Sequence, residues 1–290
     1  MKIGFIGAGK VGCSLGKYLI GSAGDWQIEG YFSRSIDSAK EAAVFTDSRV
    51  IDQVELLAQM SDLIFITTPD GAIAEIWQEL CDCGASLENK LVVHCSGLLD
   101  STVFADAEER GVTAASLHPF YAVSDRHHSY KMLPEALFTL EGSGERMEEL
   151  QGLLEASGLT IQRMDAASKM KYHAAASIGS NLMVGLTELA ISLLTDCGFD
   201  REHARMALHP LMQGNLDAIM EKDTVDALTG PAERADVETV EAHLKTLVGD
   251  DREIYRLLTK KITALAKQKN PDRDYEQLEA CLMKANGMDC

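Results

Sequence analysis

Through the first 165 residues, short apolar runs stopped by glycine or proline alternate with stretches whose apolar positions recur at helical spacing. Lys2–Ile6 is a short apolar strand ending at Gly7, and residues 10–20 place Val11, Leu15 and Leu19 one helical turn apart. Gln27–Phe32 reads as a second strand. Residues 62–68 (DLIFITT) form a buried strand stopped by Pro69, and residues 73–80 are helical. Residues 90–95 (KLVVHC), 113–117 and 136–140 continue the strand series. Gly142-Ser143-Gly144 breaks the chain before a helix through Leu154, and Thr160–Arg163 returns as a strand. Strands alternating with helices predict βαβ units and a mainly parallel sheet. The pattern changes after Met164. Residues 166–195 show neither a strand signal nor a proline and read as one long helix. Helices over 200–220, 237–248, 251–267 and 273–284 follow. The expected fold class is α/β: a parallel-sheet domain over 1–165, then an all-helical domain over 166–290.

Apolar residues at 46% and charged residues at 25% are the balance of a globular protein with a real core. The net charge of −18 argues against nucleic acid and anionic membranes as partners, because both need a basic surface. A phosphorylated cofactor remains compatible, since a local pocket can be positive. No apolar run approaches the roughly 20 residues that span a bilayer, and glycines at 4, 7, 9 and 12 break the N-terminal stretch that a signal peptide would need. The seven cysteines are scattered, with only Cys81 and Cys83 close together, which reads as reduced thiols and a cytoplasmic setting. The His127-His128 pair lacks further ligands at metal spacing, so no metal site is expected.

Gly7-Ala8-Gly9-Lys10-Val11-Gly12 fits G-x-G-x-x-G, following a strand and opening a helix. In that context Gly7 allows the tight turn, Gly9 lets backbone approach a pyrophosphate, and Gly12 brings helix and strand together. The helix N-terminus offers free N–H groups and positive dipole to the anion. The first domain therefore reads as a Rossmann-type dinucleotide-binding domain. Enzymes selective for NAD place Asp or Glu at the end of the second strand, to bind the ribose 2′-hydroxyl. Here that position reads Ser33-Arg34-Ser35. A carboxylate would repel a 2′-phosphate, whereas Arg34 can pair with it in a fork and the serines can donate. The expected cofactor is NADP(H); the alternative for Arg34 is a solvated loop charge. Ligands of such sheets lie beyond the carboxyl ends of the strands, where the chain has Thr67-Thr68-Pro69, Ser96-Gly97 and His118. The first two segments are expected to line the cofactor. His118 either donates to a substrate or bonds to backbone, and His94, inside an apolar strand, reads as structural. On the long helix, Lys171 shares an apolar stripe with Ile178, Leu182 and Leu189. Lys169, His173, Ser177 and Ser180 form a polar stripe, and Asn181 lies on a third face.

Taken together, several segments resemble a family of Rossmann-like NADP oxidoreductases with a C-terminal domain of unknown function, related to pyrroline-carboxylate reductase, ketopantoate reductase and the hydroxyacid dehydrogenases. They are GFIGAGKVG at 4–12, YFSRS at 31–35, HCSG at 94–97, LHPF at 117–120, KYHAAASIGSN at 171–181 and GPAERADVETVEAHL at 230–244. The resemblance implies that Lys171, His173 and Asn181 border the active cleft, that the segment around Arg234 folds back toward it, and that the chain forms a homodimer through its helical domain. The hydroxyacid-dehydrogenase pair, a lysine with asparagine four residues on, is not reproduced: Ala175 follows Lys171 and His173 follows Lys169 at that distance. The triplet Arg234-Ala235-Asp236 carries alanine where members often have glycine. The implied activity is NADPH-dependent reduction of a small carbonyl or imine compound, with Lys171 and then His118 as candidate acids, Asn181 orienting the substrate and Arg234 binding a substrate carboxylate. Two alternatives stand beside it: a ketopantoate reductase-like activity, and a catalytically silent NADP-binding sensor or scaffold.

Overall fold

A computed structural model describes residues 1–284. The chain divides into two compact units, the first running from Met1 to Leu182. Strands β1 (Lys2–Ile6), β2 (Gln27–Phe32), β3 (Leu63–Ile66), β4 (Leu91–His94), β5 (Thr113–Pro119), β6 (Leu137–Ser143) and β7 (Thr160–Arg163) form one sheet in the order β2-β1-β3-β4-β5-β6-β7. Every pairing is parallel except β5 with β6. Four-residue strands such as β3 and β4 are buried along their whole length, which is why they read as continuous apolar runs.

Helices cover both faces. Alternate residues of β1 and β3, among them Ile3, Phe5, Leu63 and Phe65, pack with Leu15 and Leu19 of α1 (Lys10–Gly21), Ala39 and Ala42 of α2 (Ile36–Phe45) and Leu150 and Leu154 of α5 (Met147–Ala156). The intervening residues Ile6, Ile64 and Ile66 face Leu57 of α3 (Val54–Met60) and Ile73 and Trp77 of α4 (Asp70–Asp82). Each such side chain contributes roughly 1.5–3 kcal/mol by leaving water, so the sheet is the rigid base on which the strand-end loops are mounted. Helix α3 was not expected: its seven residues carry too few periods to stand out from a loop.

The expected single helix over 166–195 is instead a 3-10 turn (Ala166–Ser168), helix α6 (Lys169–Gly179) and helix α7 (Asn181–Asp196). Ser180, at φ −126° and ψ −82°, interrupts the α-helical backbone. The first unit therefore includes α6, and the expected boundary near Asp165 marks only the change from strand to helix. A second correction concerns membranes. Within residues Ala166–Asp196 an 18-residue window reaches a mean hydropathy of 1.4, the length and composition of a bilayer span. Small residues interspersed with Leu, Ile and Met supply that hydropathy, so a search for an uninterrupted apolar run passes over it.

The second unit is helical: α7 continues into α8 (Arg201–Ala227), α9 (Val237–Thr246), α10 (Gly249–Lys269) and α11 (Glu276–Lys284). Its core gathers Ala232, Val240, Leu244, Ala266, Tyr275, Leu278 and Leu282. Asp200 and Asp236 cap α8 and α9 by accepting from the backbone N–H three residues on. By contrast α7 and α8 bury only Ile191 and Ala204, and leave Val184, Leu186, Met206, Leu211 and Met220 exposed.

Candidate functional site

Strand order reverses between β1 and β3, because β1 leads to β2 on one side while β3 to β5 extend on the other. Ligand crevices form at such a switch point, outside the carboxyl ends of the strands. A cleft of about 450 Å³ lies there, bordered by Gly7, Ala8 and Gly9 after β1, by Phe32, Ser33 and Arg34 at the end of β2, and by Thr67, Thr68 and Pro69 after β3.

The three motif glycines are required for different reasons. Gly7 has φ +107°, and a Cβ there would stand 2.8 Å from the Thr67 backbone. A Cβ on Gly12 would meet Thr67 Oγ1 at 2.5 Å and the Gly7 carbonyl at 2.6 Å. Thr67 occupies that space to donate a 2.7 Å hydrogen bond to Gly7 O, tying β3 to the turn. Gly9 is different. Its φ of −79° suits any residue, and the nearest atom to a Cβ would be Thr67 O at 4.0 Å. Packing leaves room for a Cβ there, so glycine is favoured only modestly by its N-cap position, and the open space admits close approach of a ligand. Gly9 also caps α1 without a side chain, so the helix starts beside the cleft with no side-chain cap on its first-turn N–H groups. Thr68 Oγ1, on the opposite wall, is buried without a hydrogen-bond partner.

At the β2 end, Ser33 and Arg34 line the cleft as expected, while Ser35 serves as the N-cap of α2, accepting from Ser38 N at 3.3 Å. No carboxylate stands among these three. Lys10 and Val11 form the first turn of α1 and lie outside the cleft lining. Ser96 is a turn residue whose Oγ accepts from Leu98 N and Leu99 N. Ser38 and Arg126 also border the cleft. They lay outside the expected set, Arg126 because it arrives from an irregular loop with no periodic signal.

A second cleft, also about 450 Å³, opens beyond β5 against α6 and is lined by His118, Phe120, Tyr121, His173, Ser177 and Asn181 among others. His118 Nδ1 lies 2.7 Å from the Tyr172 hydroxyl, with the two rings perpendicular. Its other edge rests on Gly97, where a Cβ would come within 2.7 Å of Nε2. Gly97 thus acts by making room for the imidazole. Burial first, and then the charges of Lys169 and His173, push the His118 pKa down to about 4, so the ring is neutral at pH 7. Burial raises the Tyr172 hydroxyl, which stays protonated. His94 is structural: Ser96 N donates to its Nδ1 at 3.1 Å, so Nε2 carries the hydrogen that faces Asp100 O at 3.1 Å. Burial lowers its pKa to about 4 as well.

The structure corrects the choice of lysine. Lys171 is exposed and absent from both cleft linings, whereas Lys169 is 2% exposed. Lys169 Nζ donates to Ser96 O at 2.9 Å and to Ser116 Oγ at 2.5 Å, fixing the start of α6 to the ends of β4 and β5. Burial lowers its pKa, with the Glu141 carboxylate opposing. The Lys171 stripe fails because the apolar face it shares, with Ile178 at 63% and Leu182 at 61% exposure, points outward. Lys169 and Tyr172, three residues apart, mark the inward face. Arg234, in the second unit, is exposed beside Asp236.

Comparison with known proteins gives two family matches, the second of which begins inside the first compact unit. Residues 1–119 match a Rossmann-like domain, and residues 136–262 match a domain of unknown function, DUF2520. Protein TM1727 from Thermotoga maritima is 25% identical, with a TM-score of 0.72 over 92% of this chain and 99% of that one. A reductive aminase from Aspergillus terreus, solved with NADPH and ethyl-5-oxohexanoate, is 15% identical, with a TM-score of 0.66 over 96% of this chain and 98% of that one. A pyrroline carboxylate reductase from Plasmodium falciparum, solved with NADP, is 14% identical, with a TM-score of 0.55 over 100% of this chain and 98% of that one. No curated protein matches the sequence.

Proposed function

For a chain that joins a Rossmann-like domain to a DUF2520 domain, we propose an NADP(H)-dependent oxidoreductase that reduces a small carbonyl or imine compound. The observation that carries this is Gly9: a glycine that neither backbone nor packing requires, at the uncapped start of α1, in a cleft at the switch point of the sheet. The residues present fit the dinucleotide. Gly9 and the α1 N-terminus suit its pyrophosphate, Thr68 Oγ1 has a hydrogen bond to give, and Ser33 and Arg34 suit a 2′-phosphate with no carboxylate to oppose it. The NADP(H) complexes of the similarly folded reductive aminase and pyrroline carboxylate reductase support the same reading.

When bound, the cofactor supplies the hydride; the chain supplies position and electrostatics. His118, neutral at pH 7, donates a hydrogen bond to the oxygen or nitrogen on which negative charge develops, and the proton that completes the alcohol or amine is taken from water. Tyr172, bonded to Nδ1, sets the ring orientation and tautomer. Lys169 holds the Ser96-Gly97 turn on which the imidazole rests, and its charge adds to the burial that keeps that imidazole neutral. His173 and Asn181 flank the cleft, where Asn181 orients the substrate. A cleft of this size bounded by Phe120 and Tyr121 suits a compact, partly apolar substrate.

The exposed apolar side chains of α7 and α8 are covered by a second copy of the chain in a homodimer. Light scattering that gives a monomer at micromolar concentration overturns that part. For the activity, the test is a fluorescence titration with NADPH and NADH, with Arg34→Ala as control, followed by NADPH oxidation with small ketones, keto acids and cyclic imines. Preferential NADPH binding lost in the variant, with turnover of one substrate class, is the expected result. Absence of binding to either cofactor overturns the redox reading. Tight binding without turnover of any carbonyl or imine returns the chain to a sensor role.

A further inference from the structure

Arg126 is the one residue of the β5–β6 connection to border the dinucleotide cleft. The connection leaves β5 at Pro119 and passes over the helices that follow β1 and β2. Ser14 Oγ of α1 lies 3.5 Å from Arg126 O. Phe45 of α2 takes the edges of His127 and Tyr130, with centroids 4.9 and 5.8 Å away, and Lys17 covers the same Phe45 ring at 5.0 Å. These contacts fix where the Arg126 backbone lies. The guanidinium then points along the first turns of α2: Nη1 to the Glu41 carboxylate and Nη2 to Ser38 Oγ at 3.5 Å. Its side chain is 23% exposed.

A staple between the connection and α2 would account for the Glu41 contact alone. Glu41 is 60% exposed, and such a pair adds little to stability. It does not account for a half-buried guanidinium inside the cleft. A guanidinium has five N–H donors in a plane. Glu41 and Ser38 take one each, leaving donors for the cavity. Arg34 and Ser33 border the same cavity from the β2 end, and the N-terminus of α2, capped by Ser35, adds positive dipole there. Two arginines, two serine hydroxyls and a helix start border one end of the cavity, where Glu41 pairs with Arg126, while Glu75 and Glu79 line it from α4; the cationic end is a receptor for a phosphate monoester dianion.

We propose that Arg126 is a second ligand of the adenosine 2′-phosphate, reaching it from the β5–β6 connection while Arg34 reaches it from the β2–α2 turn. Selectivity for NADP over NAD is then set by two segments 92 residues apart in sequence, Arg34 and Arg126. Glu41 is the counter-ion that orients the guanidinium when the phosphate is absent. The assignment rests on the dinucleotide reading above.

The test is the dissociation constants of NADPH and NADH for the full chain and for Arg126→Gln, with adenosine 2′,5′-bisphosphate and 5′-AMP as minimal probes. Loss of a charge-assisted contact to phosphate predicts about tenfold or more weaker NADPH and bisphosphate binding. NADH and 5′-AMP are expected to change by less than about twofold, which also shows that the variant is folded. An unchanged NADPH-to-NADH ratio overturns the proposal, whether both affinities persist or both fall, since the latter marks a purely structural strap. Failure of the underlying reading is visible separately, as a wild-type protein that does not prefer NADPH.

Discussion

Gly9→Ala separates ligand space from protein space. The substitution adds one methyl group to a position with φ −79° and no protein atom nearer than Thr67 O at 4.0 Å. Two small terms act on stability. Alanine at an N-cap is worse than glycine by about 0.5–1.5 kcal/mol, and the loss of unfolded-state freedom returns about 0.4–1 kcal/mol. The net change is expected to stay within about 1 kcal/mol. The same methyl stands where a pyrophosphate would approach the α1 N-terminus. Overpacking of that kind costs about 1–3 kcal/mol, a loss of about tenfold to hundredfold in NADPH affinity. Gly12→Ala is the internal contrast. Its Cβ would lie 2.5 Å from Thr67 Oγ1 and 2.6 Å from Gly7 O, so the Thr67–Gly7 hydrogen bond and the helix–strand contact both give way, and stability falls by about 1–3 kcal/mol or more. Urea denaturation with NADPH titration on both variants reads the two effects independently. A Gly9→Ala protein that binds NADPH within twofold of wild type would falsify the assignment of that space to the dinucleotide.

Three further outcomes are expected. Burial holds His94 and His118 neutral, with pKa values near 4 against an ordinary 6.5; the unfolded chain therefore takes up these protons first, and stability present above pH 6.5 declines as the pH falls toward 4. The full effect is of order 3 kcal/mol per histidine, read as a falling urea midpoint between pH 7 and 4.5, and a flat midpoint there contradicts it. Tyr172→Phe removes the partner of His118 Nδ1 and is expected to lower kcat about tenfold to hundredfold with NADPH affinity retained; unchanged kcat removes Tyr172 from the reaction. Ala235 is held at φ +57°, a left-handed conformation that costs a side-chain-bearing residue about 1–2 kcal/mol. Ala235→Gly is expected to raise stability by about 1 kcal/mol in urea denaturation, and no gain shows that the turn relaxes around alanine at little cost.

Strands β1, β3 and β4 could be read from the sequence because a parallel strand buried on both faces is an apolar run with a glycine or proline just beyond it, and that signal is local. The glycine-rich turn was legible from its spacing between a strand and a helix, although much of what demands glycine at Gly7 and Gly12 is Thr67, which follows β3. The faces of α6 were not. Helical periodicity assigns an apolar stripe to the interior, and that rule placed Lys171 inward with Ile178 and Leu182. In the first unit the inward face of α6 meets the polar ends of β4 and β5, so Lys169 is buried and Tyr172 half-buried there, while the apolar stripe is left outward. The break at Ser180 had no proline to announce it. Its flanking residues are small, and helix propensity alone does not end a helix there.

Arg126 marks the other boundary of what pattern reading reaches. Nothing in the local sequence of the β5–β6 connection distinguishes this arginine from a solvated loop charge; its position is decided by Ser14 and Phe45, more than 80 residues earlier. The two outcomes share a cause. A residue whose environment is made by its own element can be read from spacing, and one whose environment is made by another element cannot. The side chains proposed for the site, His118 against Gly97, Lys169 under Ser96 and Arg126 beside Ser38, all take their surroundings from another element, and of them His118 was legible only as a strand-end residue. They also share one location, the carboxyl edge of the sheet, where loops from successive strands converge and each side chain is held by a neighbour from a different loop. That mutual dependence makes the edge sensitive to single changes, and a substitution at Gly97 is expected to act on His118 before it acts on the fold.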